Sequence, residues 1–227
     1  MFATLVAFLT ACGDDQYMRL NVSVTENLME FIDIVNKRVD GDGYTLLTRA
    51  LVARRYMCAT VLLENGANPN KTDGGGRTPL SLVSGNPDVL RLLLSHGLPA
   101  TFGLLEETFS YLDDDAAKCV INGIPGFDPN RPFSDGETPL ARAVCHRLVG
   151  TIEYLINKGA RKNAVDTSGR TAAHVAAYKY KECGKPYDEI LNVLVECGCS
   201  MTMCDAYGLT PGCVLRKAIL SQYYMMG

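Results

Sequence analysis

Short apolar runs alternate with polar turns along the whole chain, at a nearly constant distance. Several runs open on threonine followed by proline or an apolar residue: Thr45-Leu46-Leu47, Thr78-Pro79-Leu80, Thr138-Pro139-Leu140, Thr171-Ala172-Ala173 and Thr210-Pro211. A threonine hydroxyl can cap the free N–H groups of a first helical turn, and proline suits the first position, so each run predicts a helix start. A second apolar run follows and closes on glycine: Leu62-Leu63 before Gly66, Leu93-Leu94 before Gly97, Leu155-Ile156 before Gly159 and Leu194-Val195 before Gly198. Paired leucines make the apolar face of a helix, and glycine accepts the left-handed conformation that ends one. Before each threonine lies an Asp-x-x-Gly or related stretch, which predicts a chain reversal.

The spacing makes this a repeat. Asp40-Gly41-Asp42-Gly43-Tyr44-Thr45 recurs 33 residues later as Asp73-Gly74-Gly75-Gly76-Arg77-Thr78. Phe133-Ser134-Asp135-Gly136-Glu137-Thr138 recurs 33 residues later as Asp166-Thr167-Ser168-Gly169-Arg170-Thr171, and the last copy is Asp205-Ala206-Tyr207-Gly208-Leu209-Thr210. One helix pair cannot bury its apolar side alone, but stacked pairs can. Over roughly residues 40–215 the chain resembles the ankyrin-repeat family, with its 33-residue unit, its Thr-Pro-Leu-His opening and its Leu-Leu-x-x-Gly-Ala close. The resemblance implies an all-α ankyrin-repeat solenoid of stacked helix-turn-helix units with β-hairpin-like turns, about five to six repeats. The expected units are 40–70, 73–100, a degenerate 101–130 without a Thr-Pro start, 133–163, 166–200 and a partial 205–221. Apolar stretches at 2–12 and 28–35 predict a capping helix pair within residues 1–39.

Composition narrows the function classes. The chain has 227 residues, 47% apolar and 21% charged, with a net charge of −3. That balance suits a folded globular chain and gives no basic excess for nucleic acid. Tryptophan is absent and aromatics are 8%, so stacking platforms for bases are few. Met1 to Cys12 is apolar but has no basic residue ahead of it and is too short to span a bilayer, so it reads as a buried first helix, with a lipoprotein signal as the lesser alternative.

Nine cysteines is an odd number. Cys12, Cys58, Cys119 and Cys145 read as small buried hydrophobes in a reducing, cytoplasmic or nuclear compartment. Cys183, Cys197, Cys199, Cys204 and Cys213 lack the paired spacing of a zinc site, so a metal or enzymatic role for them is the alternative reading. His146 next to Cys145 cannot form a facing nucleophile pair on a helix. His174 falls where the family uses histidine to bond backbone, and His96 stands at a helix end. Asp113-Asp114-Asp115 reads as a solvated helix start. Gly74-Gly75-Gly76 lacks the Lys-Ser/Thr of a phosphate loop.

No catalytic residue, metal ligand or cofactor is therefore expected. The resemblance implies recognition of another protein by turn tips and first helices, as a scaffold or adaptor; an adaptor for a ubiquitin ligase or a pathogen effector is a narrower form. Carried onto this chain, the contact positions are Thr72, Gly74, Gly75 and Arg77, then Ser134, Asp135 and Glu137, then Thr167, Ser168 and Arg170 with Tyr178 and Lys179 on the following helix. Tyr44 and Tyr207 are expected at equivalent tips of the first and last units. Tyrosine and arginine often dominate interfaces. No nucleic acid or membrane is expected as a partner, and the chain is expected to be a monomer.

Overall fold

The computed structural model describes residues 35–37, 43–82, 86–183 and 187–225. The capping pair expected at 1–39 lies outside them, except for residues 35–37. Eleven α-helices and one 3-10 turn are present among the described residues, with no strand. The fold is the all-α ankyrin-repeat arrangement. The chain divides into two compact units, residues 1–99 and 100–227.

The first unit holds α1 (Leu46–Val52), α2 (Tyr56–Glu64), α3 (Pro79–Leu82) and α4 (Pro87–Ser95). Its core joins Val35, Leu47, Leu51, Ala59, Leu62, Leu63, Val89 and Leu93, all of them almost completely covered. Helix α3 is short, and α4 starts afresh with Asn86 as its cap, its Oδ1 accepting the N–H groups of Asp88 and Val89 at 3.1 and 3.2 Å. Cys58 is buried, as expected, but is disulfide-bonded, whereas Cys119, expected to be buried, is exposed.

The second unit holds α5 (Phe102–Thr108), a 3-10 turn (Phe109–Tyr111), α6 (Asp114–Gly123), α7 (Pro139–Cys145), α8 (Val149–Asn157), α9 (Ala172–Cys183), α10 (Asp188–Glu196) and α11 (Pro211–Met225). Its buried residues include Leu105, Phe109, Val120, Ile121, Val144, Ile152, Leu155, Ile190, Leu194 and Val214. Small residues line the inner helices: Ala141 and Ala143 in α7, Ala172, Ala173, Ala176 and Ala177 in α9. They let adjacent first helices approach closely, and α9 packs against both α7 and α11.

The helix starts follow one rule. Thr45, Thr78, Thr101, Thr138, Thr171 and Thr210 each accept, through Oγ1, the backbone N–H three residues on. Thr101 thus keeps the cap of the third pair although Phe102 has replaced proline. A Thr138→Ala variant is expected to lose about 1 kcal/mol of stability, read from a urea unfolding curve. Between the helices of a pair the chain turns at Arg54 (φ 56) and Arg147 (φ 58), both nine residues after their capping threonine. Their left-handed backbone lets the next N–H return to the first helix, Arg55 to Ala50 at 2.8 Å and Leu148 to Ala143 at 3.0 Å.

Asparagine side chains tie neighbouring repeats. Asn130 Nδ2 donates to the Gly159 carbonyl at 3.1 Å, and its Oδ1 accepts the Arg161 N–H at 2.7 Å. Asn36 makes the same pair of bonds to Gly66 and Asn68, and Asn163 accepts the Ser200 N–H at 2.8 Å. Asp114 is more than a solvated helix start: its carboxylate accepts the N–H and hydroxyl of Thr151, at 2.6 and 2.7 Å, and so links α6 to α8. Asp113 caps α6 by accepting the Ala116 N–H at 2.8 Å.

Candidate functional site

The turns that carry the expected contact residues share one construction. In each, the first residue donates its N–H to the carbonyl four residues on: Asp73 to Arg77 at 2.9 Å, Phe133 to Glu137 at 2.8 Å, Asp166 to Arg170 at 3.0 Å and Asp205 to Leu209 at 2.9 Å. A glycine with positive φ closes the loop by donating back to that first residue. The turns are therefore hairpin-like without being strands. Three of the four begin on a buried aspartate. Asp73 Oδ1 accepts the N–H groups of Gly75 and Arg77, Asp166 those of Ser168 and Arg170, and Asp205 those of Tyr207 and Leu209, all at 2.8–2.9 Å.

In the fourth turn Phe133 stands where the others have aspartate. Its ring packs against Phe102 (5.0 Å between centroids) and edge-on to Phe109 (5.9 Å), and the Arg142 guanidinium lies 4.8 Å over it. Asp135, two residues later, takes over the carboxylate's work by accepting the Glu137 N–H at 2.9 Å. Arg142 pairs with both Asp135 and Glu137, the latter at 2.6 Å.

Consecutive turns are stacked. Gly74 donates to the Gly43 carbonyl at 2.8 Å, and Ala206 to the Ser168 carbonyl at 3.1 Å. Gly136 and Gly169 are needed for more than their positive φ. A Cβ on Gly136 would come within 2.7 Å of Thr167 Cγ2, and one on Gly169 within 3.0 Å of the Ala206 nitrogen.

This geometry sorts the expected contact residues. Gly74, Gly75, Ser134, Asp135, Thr167 and Tyr207 are exposed at the tips, Tyr207 most of all at 79%. Thr72 and Ser168 are half-buried. Several side chains are already engaged within the turns. Arg77 pairs with Asp73 at 2.8 Å and donates to the Tyr44 hydroxyl at 2.8 Å, and its guanidinium lies 5.4 Å over the Tyr44 ring. Arg170 pairs with Asp166 at 2.7 Å. Glu106 accepts both the N–H and the hydroxyl of Ser134. Tyr178 donates to Asp205 at 2.8 Å, and Lys179 pairs with Glu182 at 2.9 Å.

Tyr44 and Tyr207 do not hold equivalent positions. Tyr44 directly precedes its capping threonine, the register of Arg77 and Arg170, whereas Tyr207 stands three before Thr210, at the tip proper. Both lie within a repeated block, but their offsets from the capping threonine already differ in the sequence. The bracing role of the arginines was accessible from sequence, because Asp73 and Arg77, like Asp166 and Arg170, are four residues apart.

Burial raises the Asp73 carboxyl, but the Arg77 backbone and side-chain hydrogen bonds, its charge and the Gly75 N–H outweigh this and hold it below the ordinary carboxylate value. Asp205 behaves alike: burial raises it, and bonds from Leu209, Tyr178 and Tyr207 bring it lower. Both groups titrate lower folded than unfolded. Their contribution to stability is therefore fully present above the ordinary carboxylate value and is lost as pH falls through the folded values. The melting temperature is expected to hold from about pH 7 to about pH 5 and to drop below about pH 4. A Asp73→Asn, Asp205→Asn double variant, already destabilised at neutral pH, should show a flatter acid limb in the same melts.

His174 is fully buried and bonded, as described for its repeat below, and His96 donates from Nδ1 to the Leu92 carbonyl at 2.9 Å. Burial lowers His146 and raises Cys145. Cys199 is buried, which pushes its thiol up to about 11 and keeps it protonated. Among the described residues no group of three or more His, Cys, Asp or Glu is placed to hold a metal ion, and no helix is long and apolar enough to cross a membrane.

Comparison with known proteins agrees with the construction. A family model of ankyrin repeats in three copies matches residues 109–205, and one of ankyrin repeats in many copies matches residues 47–94; together they cover more than half of the chain. An ankyrin repeat protein of Rickettsia bellii is 32% identical over 151 residues, covering 66% of this chain and 37% of that protein. Neurogenic locus notch homolog protein 1 of Xenopus tropicalis is 32% identical over 145 residues, covering 63% of this chain and 5% of that protein. SH3 and multiple ankyrin repeat domains protein 2 of Homo sapiens is 28% identical over 148 residues, 63% of this chain and 6% of that protein. The chain thus spans well under half the length of these relatives.

Proposed function

Because this chain belongs to the ankyrin-repeat family, we propose that it is a scaffold or adaptor that binds a partner protein through its turn tips and first helices. Ankyrin repeats are general protein-interaction modules, so the open questions are the surface and the partner. The observation that carries the turn-tip reading is the contrast inside each turn. In the three aspartate turns the backbone is held by a buried carboxylate and by a bond to a neighbouring turn, while the residues between project outward. Such a surface is preorganised, so little conformational entropy is lost when it binds. The six-unit division with a capping pair at residues 1–39 belongs to this reading, as does a monomeric chain.

The test must avoid side chains that brace the turns. Arg77, Glu137 and Arg170 would confuse lost binding with lost structure. Gly75→Lys in the first unit and Tyr207→Ala in the second change exposed tips, and a Cβ on Gly75 meets nothing closer than 3.4 Å. Partners captured from the native lysate by the wild-type chain should be lost from the folded double variant. Retention of every partner would place the interface elsewhere on the protein.

The same reading places the chain in the cytoplasm or nucleus. Seven described cysteines are free and four of these are exposed, which supports a reducing compartment; the Cys58 disulfide opposes it. Thiol labelling in intact cells followed by mass spectrometry of the Cys58 peptide decides between the two.

A further inference from the structure

An open groove of about 710 Å³ runs between the loop at residues 130–132 and the loop at residues 161–165 of the second unit. Pro132 and Thr138 bracket one turn and Val165 precedes the next, but no expected contact residue lines the groove. Its lining includes two cations, Arg161 and Lys162, the amide of Asn163, and the apolar side chains of Pro132 and Val165, with Val165 49% exposed.

The lining offers donors of one kind. Arg161 and Lys162 are exposed and make no ion pair among the described residues, unlike Arg77, Arg142 and Arg170. Asn163 spends its Oδ1 on the Ser200 N–H, so its amide NH2 is the end left to donate. Asn130 is wholly engaged in the bonds to Gly159 and Arg161 that hold the two loops together. No carboxylate lines the groove. Asp128, nearby, is turned to the Asn130 N–H, which its Oδ1 accepts at 2.9 Å. Between Glu153 and Asp166 the sequence has three cations and no acid, within a chain whose net charge is −3.

We propose that this groove docks an acidic, extended peptide segment of a partner protein, its carboxylates on Arg161, Lys162 and the Asn163 amide and an apolar side chain against Pro132 and Val165. Unpaired cations with no competing acceptor select carboxylates, and the apolar edge selects a side chain next to them. Phosphates of a nucleic acid would use the same cations but would gain nothing from the apolar edge, and the groove has no aromatic side chain for a base. The proposal does not rest on the turn-tip reading, since the two surfaces share no residue.

The probe is a fluorescein-labelled decapeptide of alternating glutamate and leucine, titrated with the full chain and followed by anisotropy. Alternating lysine and leucine, and an oligodeoxythymidylate, serve as comparisons. The acidic peptide is expected to bind the wild-type chain, to weaken at least about tenfold with the Arg161→Glu, Lys162→Glu variant, and to weaken with added salt. Val165→Ser should weaken it at unchanged salt dependence, and Tyr207→Ala should leave it bound. If charge reversal fails to fold, as read by circular dichroism, the neutral Arg161→Gln, Lys162→Gln variant replaces it. No binding of the acidic peptide, equal binding by the charge variant, or tighter binding of the oligonucleotide would each overturn the proposal.

Discussion

The His174→Ala variant is expected to lose about 3 kcal/mol of unfolding free energy, because it orphans buried polar groups in two neighbouring repeats at once. His174 is fully covered. Its Nδ1 accepts the Thr171 N–H at 3.1 Å, and its Nε2 meets the Leu209 carbonyl at 3.0 Å. A backbone N–H can only donate and a carbonyl can only accept, so the ring carries its hydrogen on Nε2. One side chain thus closes the start of α9 and holds the next turn, the one that presents Tyr207. The first repeat shows what is lost without it. There Thr48 stands three after Thr45, and its hydroxyl accepts the Thr45 N–H at 2.8 Å, but it stays within its own repeat. His174→Thr should therefore fall between wild type and His174→Ala. Urea unfolding curves of the three proteins measure this; equal stability of wild type and His174→Thr would mean that the bond to Leu209 contributes nothing.

Phe109→Ala is expected to cost about 4 kcal/mol, the upper part of the range for large-to-small changes in a core. Phe109 is completely buried, and its ring meets Phe133 at 5.9 Å and the His146 ring at 6.3 Å. Phe133 in turn holds the position that aspartate holds in the other turns. The loss should therefore reach beyond the cavity. Amide exchange at Glu137 and its neighbours should quicken in the variant, while exchange at the Asp205 turn should not. Phe109→Leu keeps most of the apolar volume and should cost roughly half as much. Uniformly faster exchange through the second unit would argue for a core effect without a link to the turn.

The parts of the fold that were legible in the sequence are those governed by short-range rules. The capping threonines, the helix-ending glycines and the 33-residue spacing are local requirements of the backbone, and they mark the pairs around α1, α7 and α9. The third pair was harder to read because its signals changed chemistry. Thr101 still caps, but Phe102 follows it, and aromatic rings replace a buried carboxylate at Phe133. The tip positions were only half legible. A repeated block shows that a residue lies in a turn, but which one projects depends on the bonds from the first residue of the turn. Tyr44 and Tyr207 were separable by counting back from the threonine, and the expectation of equivalence ignored that register. The groove beside Arg161 and Lys162 showed in the sequence only as a run of cations without an acid, because its two loops lie about thirty residues apart and are joined through Asn130.

The asparagine bridges also bear on how the chain acquires its structure. Each joins positions about thirty to forty residues apart, so the bridges close loops of only moderate length. Chains dominated by such near contacts fold quickly for their length, and a growing nascent chain could lock each repeat onto the one before it as soon as both had been synthesised.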